Sequence, residues 1–185
     1  MSEFMIGYST LNMTTINDSE LTTADDLAAE IDGQYNGIVL GFKLGFEFMR
    51  FFRIFGDLKY TDMDCKDDCY YMSLRKYDVD FSATAALYTP MFNVTVGGNI
   101  GIGFGTFDGP AVTNNVSGTK YGFYLGLEKM TNRFVAMFIR VGYQNGQFSP
   151  KTAWMNNEDG TEYGKVDLEY GGAEILIGAS NWDIF

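Results

Sequence analysis

The chain has 185 residues, which suits a single domain spanning residues 1–185, and its 46% hydrophobic content is enough for a folded one. The formal net charge is −11, so nucleic acid is disfavoured as a partner on electrostatic grounds. The chain contains no histidine, the usual catalytic base, and we expect neither an enzyme nor a cofactor. Its 22 glycines, 16 phenylalanines and 12 tyrosines against 3 prolines favour strands and turns over helices.

Eight segments with strand character follow one another along the chain. In chain order they are residues 3–13, 35–49, 51–61, 71–88, 92–107, 120–130, 134–144 and 163–180. Most have about ten residues or more, the length that tilted strands need to cross a bilayer. No apolar run approaches the roughly 18 residues of a membrane helix, so helices that span a membrane are excluded.

The connections between these segments alternate between long and short. Long polar connections are predicted at residues 14–34, 62–70, 108–119 and 145–162, and short ones around residue 50, at 89–91 and at 131–133. In an up-and-down barrel, all long connections then lie at one rim, and the tight turns with both termini lie at the other. Outer-membrane barrels have this arrangement.

The two faces of each segment differ in chemistry. In GIVLGFKLGFEF (residues 37–48), Ile38, Leu40, Phe42, Leu44, Phe46 and Phe48 fall on one side, and glycines with Lys43 and Glu47 fall on the other. The eighth segment changes parity around Gly171 and Gly172, which predicts a β-bulge. Eight strands leave an interior just wide enough for side chains, so glycines and charges are predicted inside and large apolar side chains outside.

The predicted interior carries charges from most of the strands. These residues are Lys43, Glu47, Arg53, Asp57, Lys59, Asp78, Asp80, Glu128, Arg140 and Glu174. Buried charges require partners, so we expect a packed polar network of salt bridges and hydrogen bonds. Aromatic residues at strand ends predict interfacial girdles on the outside: Tyr8, Tyr35, Tyr60, Tyr77, Tyr88, Phe92, Tyr121 and Tyr143.

Along essentially its whole length, the sequence resembles the small eight-stranded bacterial outer-membrane barrels of the OmpA, OmpX and opacity-protein type. The resemblance rests on this architecture and on the carboxyl end ASNWDIF, where the aromatic Phe185 would be the signal read by the assembly machinery. It implies an all-β, eight-stranded antiparallel up-and-down transmembrane barrel. The protein would lie in the outer membrane as a monomer after removal of a signal peptide.

In that setting the barrel would contact outer-membrane lipid and act in surface interaction, adhesion or envelope integrity. The long connections would meet an extracellular or host-surface ligand. Two alternatives are a narrow pore for small solutes or ions, and a soluble lipocalin-like barrel with an apolar interior that binds a ligand.

The long connections contain further candidate sites. Cys65 and Cys69 are expected to form a disulfide in an oxidising compartment, with free thiols as the alternative. Weak calcium candidates are Asp62, Asp64, Asp67 and Asp68, and a second acidic group is Asn156, Asn157, Glu158, Asp159 and Glu162. Neither group has EF-hand spacing, and solvated surface charge is the alternative. Residues 17–33 allow a short amphipathic helix capped by Ser19 or Thr23, with Leu27 and Ile31 on one face.

Overall fold

The protein is a closed antiparallel barrel of eight long strands, as the sequence predicts. The computed structural model describes residues 1–16, 31–48, 51–65, 71–110, 112–132, 134–158, 160 and 162–182. The barrel strands are β1 (Ser2–Thr15), β2 (Gly33–Phe48), β3 (Phe52–Cys65), β4 (Ser73–Tyr88), β5 (Asn93–Asp108), β6 (Thr113–Met130), β7 (Val135–Pro150) and β10 (Leu168–Asn181). Each strand pairs with its chain neighbour and β1 closes on β10. No helix within the described ranges is long and apolar enough to cross a membrane.

A short hairpin, β8 (Trp154–Met155) and β9 (Glu162–Gly164), lies in the connection between β7 and β10. The register gives the stagger of the barrel. Tracing paired residues from Ser2 returns to β1 ten residues further on, through Leu44, Gly56, Phe81, Ile100, Tyr121, Asn145 and Gly171 to Asn12. A stagger of this size requires strands that tilt relative to the barrel axis and leaves an interior that side chains can fill.

Several strands extend further towards the long-connection rim than the sequence predicts. β6 begins at Thr113 and β7 ends at Pro150, so the predicted connections 108–119 and 145–162 are wrong in extent. β3 also continues to Cys65, which places Asp62 and Asp64 in a strand. These extensions have polar outward faces, and a polar half-strand looks like a loop in the sequence.

The predicted β-bulge at Gly171 and Gly172 is wrong, because the pairing of β7 with β10 is continuous from Leu168↔Phe148 to Asn181↔Val135. The sequence pattern shifts by one residue because the inward and outward faces exchange apolar and polar side chains along the strand. Near the long-connection rim, Leu168 and Tyr170 are buried inside, whereas further down Ile175 and Ile177 are exposed outside.

This exchange divides the barrel into two zones. In the membrane zone, towards the tight turns, the outward side chains are apolar and exposed, with Phe4, Leu87, Ile100 and Phe123 each more than 60% accessible. In the cap, towards the long connections, the exposed outward side chains of the barrel strands are polar: Asn12, Thr14, Gln34, Asp62, Asp64, Arg75, Asp108, Thr113, Asn115, Gln147, Ser149 and Glu169. An apolar wall suits hydrocarbon and a polar wall suits water.

The interior of the cap is a hydrophobic core. It contains Leu11, Met13, Ile31, Tyr35, Met63, Met72, Leu74, Phe107, Val112, Val116, Phe148, Trp154, Tyr163, Val166, Leu168 and Tyr170. The hairpin supplies Trp154 and Tyr163, and Trp154 Nε1 donates a hydrogen bond to Val166 O at 3.0 Å. A second small apolar cluster of Met5, Val39, Phe138 and Leu176 lies inside the membrane zone. The predicted packed polar interior is therefore wrong as a description of the whole lumen.

The outward aromatic girdle includes Tyr8, Tyr77, Tyr121 and Tyr143, and Tyr60 is half-buried with its ring 4.9 Å from that of Tyr77. Phe92 is exposed at the opposite rim. The girdle prediction is wrong for two residues. Tyr35 is buried in the cap and donates to Ile31 O at 2.9 Å, and Tyr88 lies at the lumen rim, where its hydroxyl donates to Glu47 at 2.8 Å.

We expect Phe107→Ala to reduce the free energy of unfolding by about 3–5 kcal/mol, because Phe107 is fully buried between Tyr35 and Trp154 in the cap and its removal leaves a cavity. The matched control is Phe104→Ala on the same strand, where lipid or detergent can fill the vacated outer wall. Equilibrium unfolding in urea after refolding into bilayers measures both. Equal losses for the two variants would contradict a hydrophobic cap.

Candidate functional site

The lumen is the candidate functional site, and its charges begin at the tight-turn rim. Arg53 is fully buried and donates to both oxygens of Glu128, at 2.5 and 3.2 Å, and to Glu47 at 3.2 Å. The ring of Trp182 covers the Arg53 guanidinium at 4.4 Å. The charge-assisted bonds satisfy the arginine, and the indole ring covers it at this end of the lumen.

The next charged groups lie deeper in the membrane zone. Arg140 binds Glu3 through two parallel hydrogen bonds of 2.5 and 2.7 Å. Lys43 pairs with Asp57 at 2.7 Å and donates to Ser82 at 3.1 Å. Both ion pairs are buried, so each member would be a costly uncompensated charge without its partner.

The largest cluster lies directly below the cap. Lys120 contacts Asp78 at 2.7 Å and Asp80 at 2.8 Å, and Lys76 contacts Asp78 at 3.2 Å. A separate pair in the same zone joins Lys59 to Glu174 at 2.7 Å. Alternating cations and anions in this way lowers the repulsion between like charges that share a narrow space.

Glycines on β5 make room for these carboxylates. A Cβ at Gly101 would overlap Asp80 Oδ1, and one at Gly103 would lie 2.8 Å from Asp78 Oδ1. Neither Oδ1 atom has a hydrogen-bond partner within the described ranges. Close backbone approach, and not turn formation, therefore accounts for the glycines that alternate along this strand.

All ten charged residues predicted from the sequence have inward-facing positions in their strands. The structure adds three that sequence reasoning missed: Glu3, Lys76 and Lys120. Lys76 lies two residues before Asp78, and Lys120 lies two residues before Gly122, so each shares the inward-facing side of its strand. The alternation of side chains along the strand therefore indicated their position. Glu3 lies two residues before the buried Met5, but a single charge near the chain start offered little to distinguish inside from outside.

The lumen is nearly balanced in charge. Of the residues that the structure describes, six cations (Lys43, Arg53, Lys59, Lys76, Lys120, Arg140) and seven anions (Glu3, Glu47, Asp57, Asp78, Asp80, Glu128, Glu174) line it, against a net charge of −11 for the chain. The negative excess thus belongs almost entirely to the rest of the protein. An electrostatic preference for one sign of ion inside the lumen has no source in this balance.

The predicted sites in the long connections lie mostly at or beyond the edges of the described chain. Cys65 is disulfide-bonded and packs against the cap core. Cys69, Asp67, Asp68, Asp159 and Phe185 lie outside the described residues, as do Ser19, Thr23 and Leu27 of the predicted helix. Asp62 and Asp64 are exposed on the outer wall of β3. The residues that the structure describes include no group of three or more histidine, cysteine or acidic side chains able to hold a metal.

Asp32 links the start of β2 to the end of β1 in the cap through hydrogen bonds from Thr15. Thr15 N donates to Asp32 Oδ1 at 2.6 Å. Partial burial raises the pKa of Asp32, and the hydrogen bonds from Thr15 oppose that rise. Because the folded-state pKa is raised, the stability that this carboxyl contributes is present in acid and is lost as the pH rises through that pKa.

We expect Glu3→Leu to reduce the free energy of unfolding by about 3–5 kcal/mol, because Arg140 would remain buried without its carboxylate. The double variant Glu3→Leu/Arg140→Met should recover most of that loss, since no isolated charge is left. Urea unfolding in bilayers compares the variants. As a control, Arg75→Ala breaks an exposed pair with Asp108 and should cost at most about 1 kcal/mol. A double variant no more stable than the single one would refute the pairing argument.

Comparison with known proteins supports the fold. No family model and no curated protein matches the chain. Among solved structures, the chain is similar to Neisserial surface protein A (11% identity, TM-score 0.50), with 94% of this chain and 96% of the other covered. It is also similar to the outer membrane protein OprG from Pseudomonas aeruginosa (12% identity, TM-score 0.53), with 96% and 94% covered. Both likenesses extend over nearly the whole of each chain, and the protein thus has the fold of the small eight-stranded outer-membrane barrels.

Proposed function

We propose that the protein is a non-conducting barrel of the bacterial outer membrane that acts through its external surface, in adhesion or other surface interactions or in envelope integrity, and not as an enzyme. The observation that carries this proposal is the closed lumen. A hydrophobic core fills the cap, and paired charges with an aromatic cover fill the other end.

The outer wall supports placement in a membrane. Exposed apolar side chains surround the barrel in the membrane zone, and a soluble protein rarely exposes so large a continuous apolar surface. The aromatic girdle at the boundary with the cap marks an interface between hydrocarbon and water. This sidedness disfavours the soluble lipocalin-like alternative, in which charged residues would face out around the whole barrel.

The cap supports a role at the surface. Its strands continue beyond the apolar wall, and their outward side chains are polar and exposed. Its core includes Trp154 and Tyr163, so buried side chains anchor the hairpin to the cap. Binding residues are commonly placed on connections that a scaffold positions, and the hairpin between β7 and β10 meets that description.

A narrow pore is the second candidate function. The observation that favours it is the pair of buried oxygens, Asp78 Oδ1 and Asp80 Oδ1, that face the glycines of β5 without a hydrogen-bond partner in the described chain. A water molecule would satisfy such oxygens, and a file of waters would be the start of a path. The apolar cap core above them opposes any continuous path.

We expect no resolved single-channel conductance from the purified full chain in planar bilayers, because the cap core seals the lumen. An eight-stranded barrel with a known open lumen, reconstituted in parallel, gives the positive control. Phe107→Ala should also remain silent, since the paired charges below the cap stay in place. Reproducible unit conductance from the unchanged chain would favour the pore instead.

Cysteine labelling tests the location and orientation. Met155 is 51% exposed on the hairpin, and Met91 is 77% exposed at the opposite rim. In intact cells that express the full chain, a membrane-impermeant maleimide should label Met155→Cys and spare Met91→Cys until the outer membrane is permeabilised. The unchanged chain measures background from Cys65 and Cys69. Equal labelling of both variants in intact cells would contradict the proposed placement.

A further inference from the structure

A polar groove crosses the outer wall at the boundary between the membrane zone and the cap. It has a volume of about 550 Å³ and spans four neighbouring strands, β6, β7, β10 and β1. Two rows of paired residues form it: Asn12, Gly171, Asn145 and Tyr121 in one, and Thr14, Glu169, Gln147 and Thr119 in the next. This side of the boundary is therefore recessed and rich in hydrogen-bonding groups.

The recess exists because Gly171 has no side chain. A Cβ at this position would lie 2.5 Å from Asn145 Oδ1 and 2.8 Å from the Tyr143 hydroxyl. Asn145 Nδ2 in turn donates to the Tyr121 hydroxyl at 3.4 Å. The glycine thus gives the groove a floor of backbone, with one amide and two tyrosine side chains beside it.

The side chains that line the groove favour an uncharged ligand with several hydroxyl groups. Asn12, Asn145 and Gln147 supply amides that both donate and accept, and Thr14 and Thr119 add hydroxyls. Tyr121 and Tyr143 offer ring surface for the apolar face of a sugar. Among the described residues that line the groove, Glu169 is the only charged one and none is a lysine or arginine, so these residues would repel a bare phosphate.

The position of the groove along the barrel axis favours a sugar that is attached to a lipid. Tyr121 and Tyr143 belong to the aromatic girdle, which lies at the level of lipid headgroups. The outward surface beside and below them is apolar, because Phe123 lies opposite Tyr143 and Ile175 is exposed further down on β10. A molecule seated here would have its polar part in the groove and its chains along this wall.

We propose that this groove binds the saccharide headgroup of a glycolipid in the leaflet that surrounds the cap. The inference rests on the proposed function, because it needs the apolar wall to be in a membrane. The groove would hold one glycolipid against β7 and β10 on the outer wall. This site is separate from the paired charges inside the lumen.

The test measures which lipid stays bound. The full chain is reconstituted into nanodiscs with equal amounts of monoglucosyl diacylglycerol and a phosphatidylglycerol of identical acyl chains, and native mass spectrometry counts the lipids retained. We expect retained glucolipid to exceed phosphatidylglycerol by about tenfold, the ratio given by a difference of 1.4 kcal/mol. The variant Gly171→Leu, which fills the groove, should reduce this ratio to about one.

The matched control is Gly56→Leu, since Gly56 is an exposed glycine of the outer wall around which a Cβ meets no atom within 4 Å. It should keep the preference. Asn145→Ala, which is gentler on folding, should lower the ratio without abolishing it. Heat-modifiable gel migration shows that each variant has folded.

Three outcomes would overturn the inference for a protein that folds in the nanodisc: no preference between the lipids, a preference for phosphatidylglycerol, or a preference that Gly171→Leu leaves unchanged. These results would leave the membrane placement intact. A chain that stays dissolved without lipid or detergent would instead overturn the proposed function, and the glycolipid site with it.

Discussion

The structure depends on one constraint, the identity of the medium outside each stretch of strand. Where hydrocarbon surrounds the barrel, apolar side chains must face out, and the narrow lumen is left to glycine and paired charges. Where water surrounds it, the same strands turn polar on the outside and apolar within. The backbone register continues through this boundary without interruption, as the pairing of β7 with β10 shows. Inversion of chemistry on a constant register is therefore the organising principle of the fold.

The sequence predicts the barrel well because alternation with period two is strong wherever one face meets lipid. It predicts strand number, connection order and the inward position of residues such as Arg53 and Asp80. It fails where the solvent changes. The outward polar residues in the first half of β6 have the pattern of a loop. The inward apolar residues Leu168 and Tyr170 give the pattern of a β-bulge, although the pairing is continuous. Tyr35 has the position of a girdle residue, although it is buried. A single sequence does not show where along each strand the apolar surroundings end and water begins. Each of these errors follows from that missing information.

The paired charges inside the lumen determine the register of the strands as much as they contribute to stability. Desolvation makes buried ion pairs weak contributors to net stability, but a mispaired charge in this space is expensive. Glu3 and Arg140 are 137 residues apart, and Lys59 and Glu174 are 115 apart. A slip of one residue in a strand that carries an inward charge would turn that charge outward and isolate its partner. Partnered charges from distant strands thus penalise alternative registers that an apolar interior would tolerate.

The pairing of β1 with β10 has a kinetic consequence. Because the first strand closes on the last, the sheet cannot be completed until nearly the whole chain has been synthesised. Until then both strands are open edges flanked by apolar wall, the kind of surface that recruits other chains into aggregates. Loop closure over this sequence distance is also slow compared with joining neighbouring hairpins. In a folding intermediate in which β10 is still unpaired, the free edge of β1 is therefore the place where contact between copies of this chain would begin.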